Sequence, residues 1–305
     1  MTQHFTDRLL GACREKGTPL CVGIDPVYER LPAKLRSNTS GAKGMVQAIS
    51  RFVEDVLEIA AKHVACVKFQ SACFERYLWP GTQAYHQLIC RARDLGLIVI
   101  GDAKRGDIGI SSEHYAAGCL GDTHFDDLGM MPGPDALTIN AYLGADGMAP
   151  FIDMAANQGK GLFALVRTSN PGSDAIQRLP LADGRNVAEA VAQVISQTGN
   201  SPGLVGQAGY TLLGAVVGAT QAEDAVNLRK LMPQQIFLVP GFGAQGATAD
   251  DVRACFHDNG AGAIITASRS ILYAYENHHG DWRQAIEQAL LHTKQQIQQA
   301  LGLVT

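Results

Sequence analysis

Three observations on this sequence of 305 residues predict an α/β protein built as a single (β/α)8 barrel. Short apolar runs recur along the chain, each bounded by Gly, Pro or Asp, as expected of buried strands. Segments with the hydrophobic period of an amphipathic helix lie between these runs. The alternation repeats eight times over about 280 residues, which is the number of strand–helix units in a (β/α)8, or TIM, barrel.

The strands are expected where apolar residues form runs that are too short for a helix. Strands of a parallel sheet are buried on both faces and therefore carry continuous apolar runs instead of alternating ones. The eight predicted strands are Leu20–Ile24, Val64–Phe69, Leu97–Ala103, Ala136–Asn140, Gly161–Val166, Gly214–Gly218, Ile236–Pro240 and Ala263–Ala267.

The helices between the strands are expected to begin at short polar side chains, which accept the first free backbone N–H groups. Thr248 before Asp250 and Asp281 before Trp282 are such positions. Phe5–Lys16 is expected to form an extra N-terminal helix that closes the bottom of the barrel. The eight predicted helices are Met45–His63, Thr82–Leu95, Ser111–Cys119, Asp146–Asn157, Asn186–Gln197, Gln221–Leu231, Thr248–Asn259 and Asp281–Leu301.

The sequence contains no linker rich in Pro, Gly or Ser, so residues 1–305 are expected to form one domain. Three longer connections would decorate the βα loops of this domain: Leu31–Lys43, Gly118–Asp135 and Thr168–Arg185. A doubly wound open sheet is the alternative fold, because the strand pattern alone does not establish closure.

Composition excludes several classes of function. The net charge is -4, and no basic run of five residues occurs, so nucleic acid is not an expected partner. No apolar stretch of about eighteen residues could span a membrane, and charged residues interrupt the N-terminal segment, unlike a signal peptide. The seven cysteines form no CxxC pair and are expected to be reduced thiols of a cytoplasmic protein.

The most informative segment lies at the end of the third predicted strand, where residues 102–107 read DAKRGD. Side chains alternate along a strand, so Asp102 and Lys104 should point to the same face, with Asp107 in the loop beyond. Buried charges are costly unless they are paired, so the cluster favours a functional site. A solvated loop or a structural ion-pair network would give the same local pattern.

Polar residues also follow most of the other predicted strands. The carboxyl ends of all strands meet at one face of a barrel, and that face holds the active site in enzymes of this architecture. One such residue could be a helix cap or a turn, but the set together predicts a site. Its members are Asp25, Lys68, Asn140, Ser169, Asn170, Ser268 and Arg269.

The loop after the seventh predicted strand reads GFGAQG at 241–246, which matches the GxGxxG dinucleotide fingerprint. A Rossmann unit normally needs more strands after the fingerprint, and only one follows here. We therefore expect a loop whose backbone N–H groups approach a phosphate, with Arg269 as the counter-charge. The nine histidines show no HxxxH or HExxH spacing, so no metal site is predicted.

Taken together, these residues resemble the orotidine 5′-monophosphate decarboxylase family, in particular its longer bacterial subgroup. Sugar-phosphate decarboxylases and aldolases of the same superfamily share the DxKxxD pattern. Lys68 separates this chain from them, because the metal-dependent relatives are expected to place a carboxylate there to hold magnesium. The resemblance is carried by DAKRGDIG at 102–109, GIDP at 23–26, VKFQ at 67–70, TSNPG at 168–172, VGAT at 217–220, VPGFGAQG at 239–246 and SRSI at 268–271.

The resemblance implies a catalytic tetrad of Lys68, Asp102, Lys104 and Asp107, in which Asp107 reaches the site of a neighbouring subunit. The active unit would be a homodimer with shared active sites. Lys104 would stabilise the carbanion left by the loss of carbon dioxide and would then protonate it. The reaction would need no cofactor.

The same resemblance implies the contacts to the substrate. Asp25 and Lys68 would bind the ribose hydroxyls, together with Ser111 of the partner chain. Ser169 would contact the pyrimidine edge, and Gln245 would bridge the base and the phosphate. The phosphate would be gripped by Arg269, and the remaining expected substrate-binding residues are Gly243, Gly246 and Ser268.

The predicted function is the conversion of orotidine 5′-monophosphate (OMP) to UMP and carbon dioxide, in de novo pyrimidine synthesis. One alternative is a magnesium-dependent lyase that acts on a sugar phosphate. The other alternative is a barrel that binds a nucleotide without catalysis.

Overall fold

The computed structural model describes residues 3–37, 40–218, 222–242, 249–277 and 280–303. Its strands are β1 (Leu20–Ile24), β2 (Cys66–Gln70), β3 (Ile98–Arg105), β4 (Thr123–Phe125), β5 (Gly129–Met131), β6 (Ala136–Ile139), β7 (Gly161–Arg167), β8 (Leu213–Val217), β9 (Phe237–Pro240) and β10 (Ala263–Ala267). Eight of them form a closed parallel barrel in the order β1-β10-β9-β8-β7-β6-β3-β2. This closure confirms the predicted barrel and excludes the open sheet.

Helices cover the outside of the barrel, and within the described residues none is long and apolar enough to cross a membrane. The longest, α3, turns nine buried apolar residues towards the barrel. The helices are α1 (Phe5–Lys16), α2 (Ala33–Arg36), α3 (Gly41–His63), α4 (Ala72–Glu75), α5 (Leu78–Asp94), α6 (Gly109–Cys119), α7 (Ala145–Gln158), α8 (Asp174–Gln177), α9 (Val187–Gly199), α10 (Ala222–Leu231), α11 (Ala249–Arg253), α12 (Arg269–Leu272) and α13 (Trp282–Leu301).

The seventh outer helix is shorter than the sequence pattern predicts. A helix was expected over Thr248–Asn259, whereas α11 ends at Arg253, and Thr248 lies outside the described residues. The buried Arg229 explains the early end, because its guanidinium binds the carbonyl oxygen of Cys255 at 3.0 Å. That carbonyl is therefore engaged outside any helix, and the chain turns inward to start β10.

The connection Gly118–Asp135 folds as an antiparallel hairpin of β4 and β5, which the sequence analysis did not anticipate. The hairpin base is fixed by the buried Lys160, whose Nζ donates to the carbonyl oxygens of Leu120 (2.7 Å) and Pro134 (2.9 Å). The same Nζ lies 2.7 Å from a carboxylate oxygen of Asp122. These bonds hold the insertion beside the amino end of β6, opposite the end at which polar residues collect.

Helix α1 closes the bottom of the barrel, as predicted. Phe5 is fully buried and meets the ring of Phe163 edge-on, with the ring centroids 6.1 Å apart. A methyl group at Gly161 would lie 2.1 Å from the Phe5 ring, so only glycine admits the ring at this position. The barrel floor is therefore a packed apolar layer, and the opposite end is left for the site.

We predict that Phe5→Ala lowers the free energy of unfolding by about 3–5 kcal/mol, because it leaves a cavity under the barrel. Leu291→Ala is the control, since Leu291 is exposed on α13 and its truncation should cost about 0.5 kcal/mol or less. Denaturant unfolding of both variants measures the difference. Equal stability of the two variants would show that α1 does not seal the barrel.

Candidate active site

A cavity of about 530 Å³ opens at the carboxyl ends of the barrel strands. Charged and polar side chains of β1, β2 and β3 line one side of it, and apolar side chains of β7, β8 and β9 line the other. Its lining residues are Asp25, Lys68, Gln70, Asp102, Lys104, Thr138, Leu165, Thr168, Ser169, Asn170, Gln177, Val216, Leu238, Pro240, Gly241, Phe242, Thr266, Ser268 and Arg269.

The carboxylate of Asp102 is the centre of the charged side. Its Oδ1 accepts hydrogen bonds from Lys104 Nζ (2.5 Å) and Thr138 Oγ1 (2.9 Å). Its Oδ2 accepts from Lys68 Nζ (2.6 Å) and from the Gln70 amide (3.3 Å). Four donors on two oxygens satisfy the buried carboxylate, which accounts for its presence in the barrel interior.

Asp102 and Lys68, the two buried residues of this cluster, keep each other charged. Burial alone would raise the pKa of Asp102, but the charges of Lys68 and Lys104 outweigh it and keep that pKa well below its usual range. Burial alone would lower the pKa of Lys68, but Asp102 and Asp25 reverse this effect and raise it. The site therefore carries fixed charges through the neutral pH range.

The third strand is irregular where it enters the cavity. Gly101 pairs with Leu137 and Arg105 with Ile139, so residues 102–104 of β3 face a single residue of β6, Thr138. Lys104 has φ of 51°, in the left-handed region that non-glycine residues rarely adopt. The bulge turns the Lys104 side chain into the cavity, where it is half-exposed.

Two charged groups of the cavity lack a close partner among the described residues. Asp25 Oδ1 is buried and accepts no hydrogen bond, and the nearest cation, Lys68 Nζ, is 3.9 Å away. Arg269, at the start of α12, has no carboxylate within ion-pair distance in the described part of the chain. Both groups are free to bind polar atoms of a ligand.

The segment after β7, which carries Ser169, is anchored by a fully buried arginine that the sequence analysis did not single out. Arg167 Nε lies 2.8 Å from Asp224 Oδ2, and its Nη1 donates to Ser173 Oγ at 2.6 Å. Gln177 holds the same segment, because its Oε1 accepts from the backbone N–H of Thr168 at 2.9 Å. These bonds fix the loop against the barrel rim.

Some predicted residues lie outside the cavity. Asp107 and Ser111 are not among its lining residues, and Asp107 accepts a hydrogen bond from the Ile108 N–H at 2.8 Å. Asn140 is exposed and only shapes a turn, since its Oδ1 accepts from the Tyr142 N–H at 3.0 Å. Residues 243–246 of the predicted phosphate loop lie outside the described residues, and with them the expected substrate-binding residues Gly243, Gln245 and Gly246.

The cavity also contains residues that the sequence analysis missed. Gln70 follows Lys68 by two positions, so strand alternation could have identified it. Thr138 gave no signal, because an isolated threonine in an apolar strand is ordinary. No cluster of three His, Cys, Asp or Glu side chains suited to a metal ion occurs among the residues that the structure describes.

The chain is similar to known proteins over almost its whole length. The sequence model of the orotidine 5′-phosphate decarboxylase / HUMPS family matches residues 18–285. The orotidine 5′-phosphate decarboxylase of Rhodopirellula baltica is 39% identical over 302 residues, covering 96% of this chain and 98% of the relative. That of Deinococcus radiodurans is 39% identical over 305 residues, covering 99% and 100%.

Solved structures agree with these matches. The crystal structure of a candidate orotidine 5′-phosphate decarboxylase from Streptomyces avermitilis superimposes with a TM-score of 0.80 at 32% identity, covering 99% of this chain and 97% of that one. The crystal structure of a candidate orotidine-monophosphate decarboxylase from Toxoplasma gondii gives a TM-score of 0.81 at 28% identity, also covering 99% of this chain and 97% of that one. The chain therefore belongs to the orotidine 5′-phosphate decarboxylase / HUMPS family.

Proposed function

We propose that this protein converts OMP to UMP and carbon dioxide, as a cofactor-independent decarboxylase of de novo pyrimidine synthesis. The observation that supports this most directly is the ammonium group of Lys104. It is held against Asp102 in a cavity that also presents a carboxylate oxygen of Asp25 without a hydrogen bond and an arginine, Arg269, without an ion pair to any described residue. A substrate with a reacting ring, a sugar and a phosphate matches these three features.

The chemistry needs a cation beside the carbon atom that loses its carboxyl group. When the bond between C6 of the pyrimidine and the carboxylate carbon breaks, the electron pair stays on C6 and carbon dioxide leaves. The Lys104 ammonium stabilises this carbanion and transfers a proton from Nζ to C6, giving UMP and a neutral amine that solvent protonates again. No oxidant or reductant is required.

The neighbouring charges keep the Lys104 ammonium in place for this transfer. Asp102 fixes Nζ from one side, and Lys68 compensates the negative charge of Asp102 so that the carboxylate remains ionised. A preorganised set of charges stabilises the transition state more than solvent could, because the solvent dipoles would first have to reorient.

The rest of the cavity binds the parts of OMP that do not react. Asp25 and Lys68 bind the ribose hydroxyls, and Asp25 Oδ1 can accept from them because it accepts no hydrogen bond from the described residues. Ser169 contacts the pyrimidine edge. Arg269 and Ser268 hold the phosphate together with the loop of Gly243, Gln245 and Gly246. Binding energy from the phosphate is available to orient the reacting ring over Lys104.

The active unit is a homodimer in which each subunit completes the site of the other. Asp107 and Ser111 lie outside their own cavity, on a segment that exposes the apolar side chains of Ile108 and Ile110. Tyr142, in the loop that follows β6, is 82% exposed. An exposed apolar patch next to Asp107 and Ser111 is the kind of surface that packs against a second copy of this chain across a twofold axis.

The whole chain acts as one domain in the cytoplasm. All seven cysteines are free thiols, which suits a reducing compartment. The net charge of -4 and the absence of a basic run favour a small-molecule substrate, with neither nucleic acid nor membrane as a partner.

The direct test is the release of carbon dioxide from OMP in the presence of a metal chelator. We expect turnover to continue, because Lys68 places an ammonium where a magnesium-dependent enzyme would need a carboxylate. Turnover that only magnesium restores would favour the sugar-phosphate lyase. Tight UMP binding without any turnover would favour a nucleotide-binding barrel.

We predict that Lys104→Ala lowers kcat by about a thousandfold or more, because the transition state loses both its cation and its proton donor. UMP affinity should change far less, since ribose and phosphate contacts remain. Steady-state kinetics and calorimetric titration with UMP measure the two quantities. Lys62→Ala, which removes an exposed lysine of α3, is the control. A Lys104→Ala variant with wild-type kcat would contradict the proposed mechanism.

We predict that Lys104→Ala and Asp107→Ala subunits, each inactive alone, recover about a quarter of wild-type activity when refolded together in equal amounts. Half of the random dimers are mixed, and each mixed dimer has one site with both residues intact. Mixing Lys104→Ala with a Lys104→Ala/Asp107→Ala double variant is the control, and it should recover nothing. Failure of the first mixture to recover activity would argue against shared sites.

A further inference from the structure

We infer that Thr138 of β6 is a positioning residue that aligns the Lys104 ammonium for proton transfer. The inference rests on the proposed function and adds to it a residue that acts through Asp102 and Lys104. Thr138 is almost fully buried, and its hydroxyl is the one group of β6 that contacts both of them.

The first observation is the position of Thr138 opposite the bulge of β3. Three residues of β3, from Asp102 to Lys104, face this single residue, so the ordinary ladder of backbone hydrogen bonds is interrupted there. The Lys104 N–H cannot use a regular strand partner. It donates instead to Thr138 Oγ1 at 3.0 Å.

The second observation is that the Thr138 hydroxyl both accepts and donates a hydrogen bond. It accepts from the Lys104 N–H and donates to Asp102 Oδ1 at 2.9 Å. Asp102 Oδ1 also accepts a hydrogen bond from Lys104 Nζ at 2.5 Å. Thr138 therefore fixes the backbone of the proton donor and, through the carboxylate, the end of its side chain.

The third observation is the backbone strain at Lys104. A left-handed φ of 51° costs a non-glycine residue about 1 kcal/mol or more and persists only when neighbouring groups enforce it. The hydrogen bond from its N–H to Thr138 is such a constraint. The β-branched side chain of threonine has few rotamers, so the hydroxyl is itself held in one position.

Loss of this hydroxyl should reduce kcat and leave the KM for OMP and the affinity for UMP nearly unchanged. The phosphate and ribose contacts of Arg269 and Asp25 do not involve Thr138. Proton transfer depends on the distance and direction from Nζ to the ring carbon, and a displacement near 1 Å can cost about a hundredfold in rate.

The experiment compares Thr138→Val with Thr138→Ser in the full-length protein. Valine keeps the shape and the strand preference of threonine but removes both hydrogen bonds, whereas serine keeps the hydroxyl. We expect kcat to fall about 10- to 100-fold in Thr138→Val, with an unchanged KM, and to return to within a few-fold of wild type in Thr138→Ser. Thr211→Val is the control, because Thr211 is a buried threonine at the other end of the barrel and should keep wild-type kcat.

Crystal structures of the two variants give a readout that is independent of turnover. In Thr138→Val we expect Lys104 to leave the left-handed region or its Nζ to move away from Asp102, and in Thr138→Ser we expect neither change.

An unchanged Lys104 geometry with wild-type kcat in Thr138→Val would overturn the inference. So would equal losses in the valine and serine variants, since these would indicate packing alone. If the wild type releases no carbon dioxide while Lys104 still moves in Thr138→Val, the proposed function fails and the positioning contact stands.

Discussion

The site depends on one buried carboxylate that accepts hydrogen bonds from two ammonium groups. Asp102 lies where β2, β3 and β6 meet, and the parallel register that pairs Gln70 with Asp102 brings Lys68 within reach. Neither Asp102 nor Lys68 could be buried alone, because each would lose its hydration without compensation. Together with the Lys104 ammonium they form a set of charges that is already paired before any ligand is bound.

The fold and the centre of the site could be predicted because both depend on strong local patterns. Short apolar runs that alternate with helical segments are typical of a parallel sheet, and the carboxyl ends of parallel strands in a barrel meet at one face. That argument brought Lys68, Asp102 and Lys104 together, and the structure confirms their proximity. The reason for the Asp102–Lys104 contact differs from the expected one, since β3 bulges there instead of alternating regularly.

The remaining features depend on contacts between distant parts of the chain. Arg167 binds Ser173 and Asp174 nearby, but its burial also depends on Asp224, 57 residues away, so local sequence does not mark it as the anchor of the loop after β7. The early end of α11 follows from the buried Arg229 in the same way. Asn140 follows a strand end as Asp25 does, yet only the fold decides that one forms a turn and the other faces the cavity.

The strained backbone at Lys104 has a consequence for how this chain would change if selection for activity were lost. Glycine or asparagine would relieve this strain, because both occupy left-handed conformations at lower cost, but either would also remove one of the two ammonium groups that donate to Asp102. A sequence that kept the barrel and Asp102 but carried glycine at this position would lack the ammonium to which the proposed mechanism assigns the proton transfer. On that proposal, the residue at position 104 separates relatives that could carry out the reaction from relatives that could only bind the nucleotide.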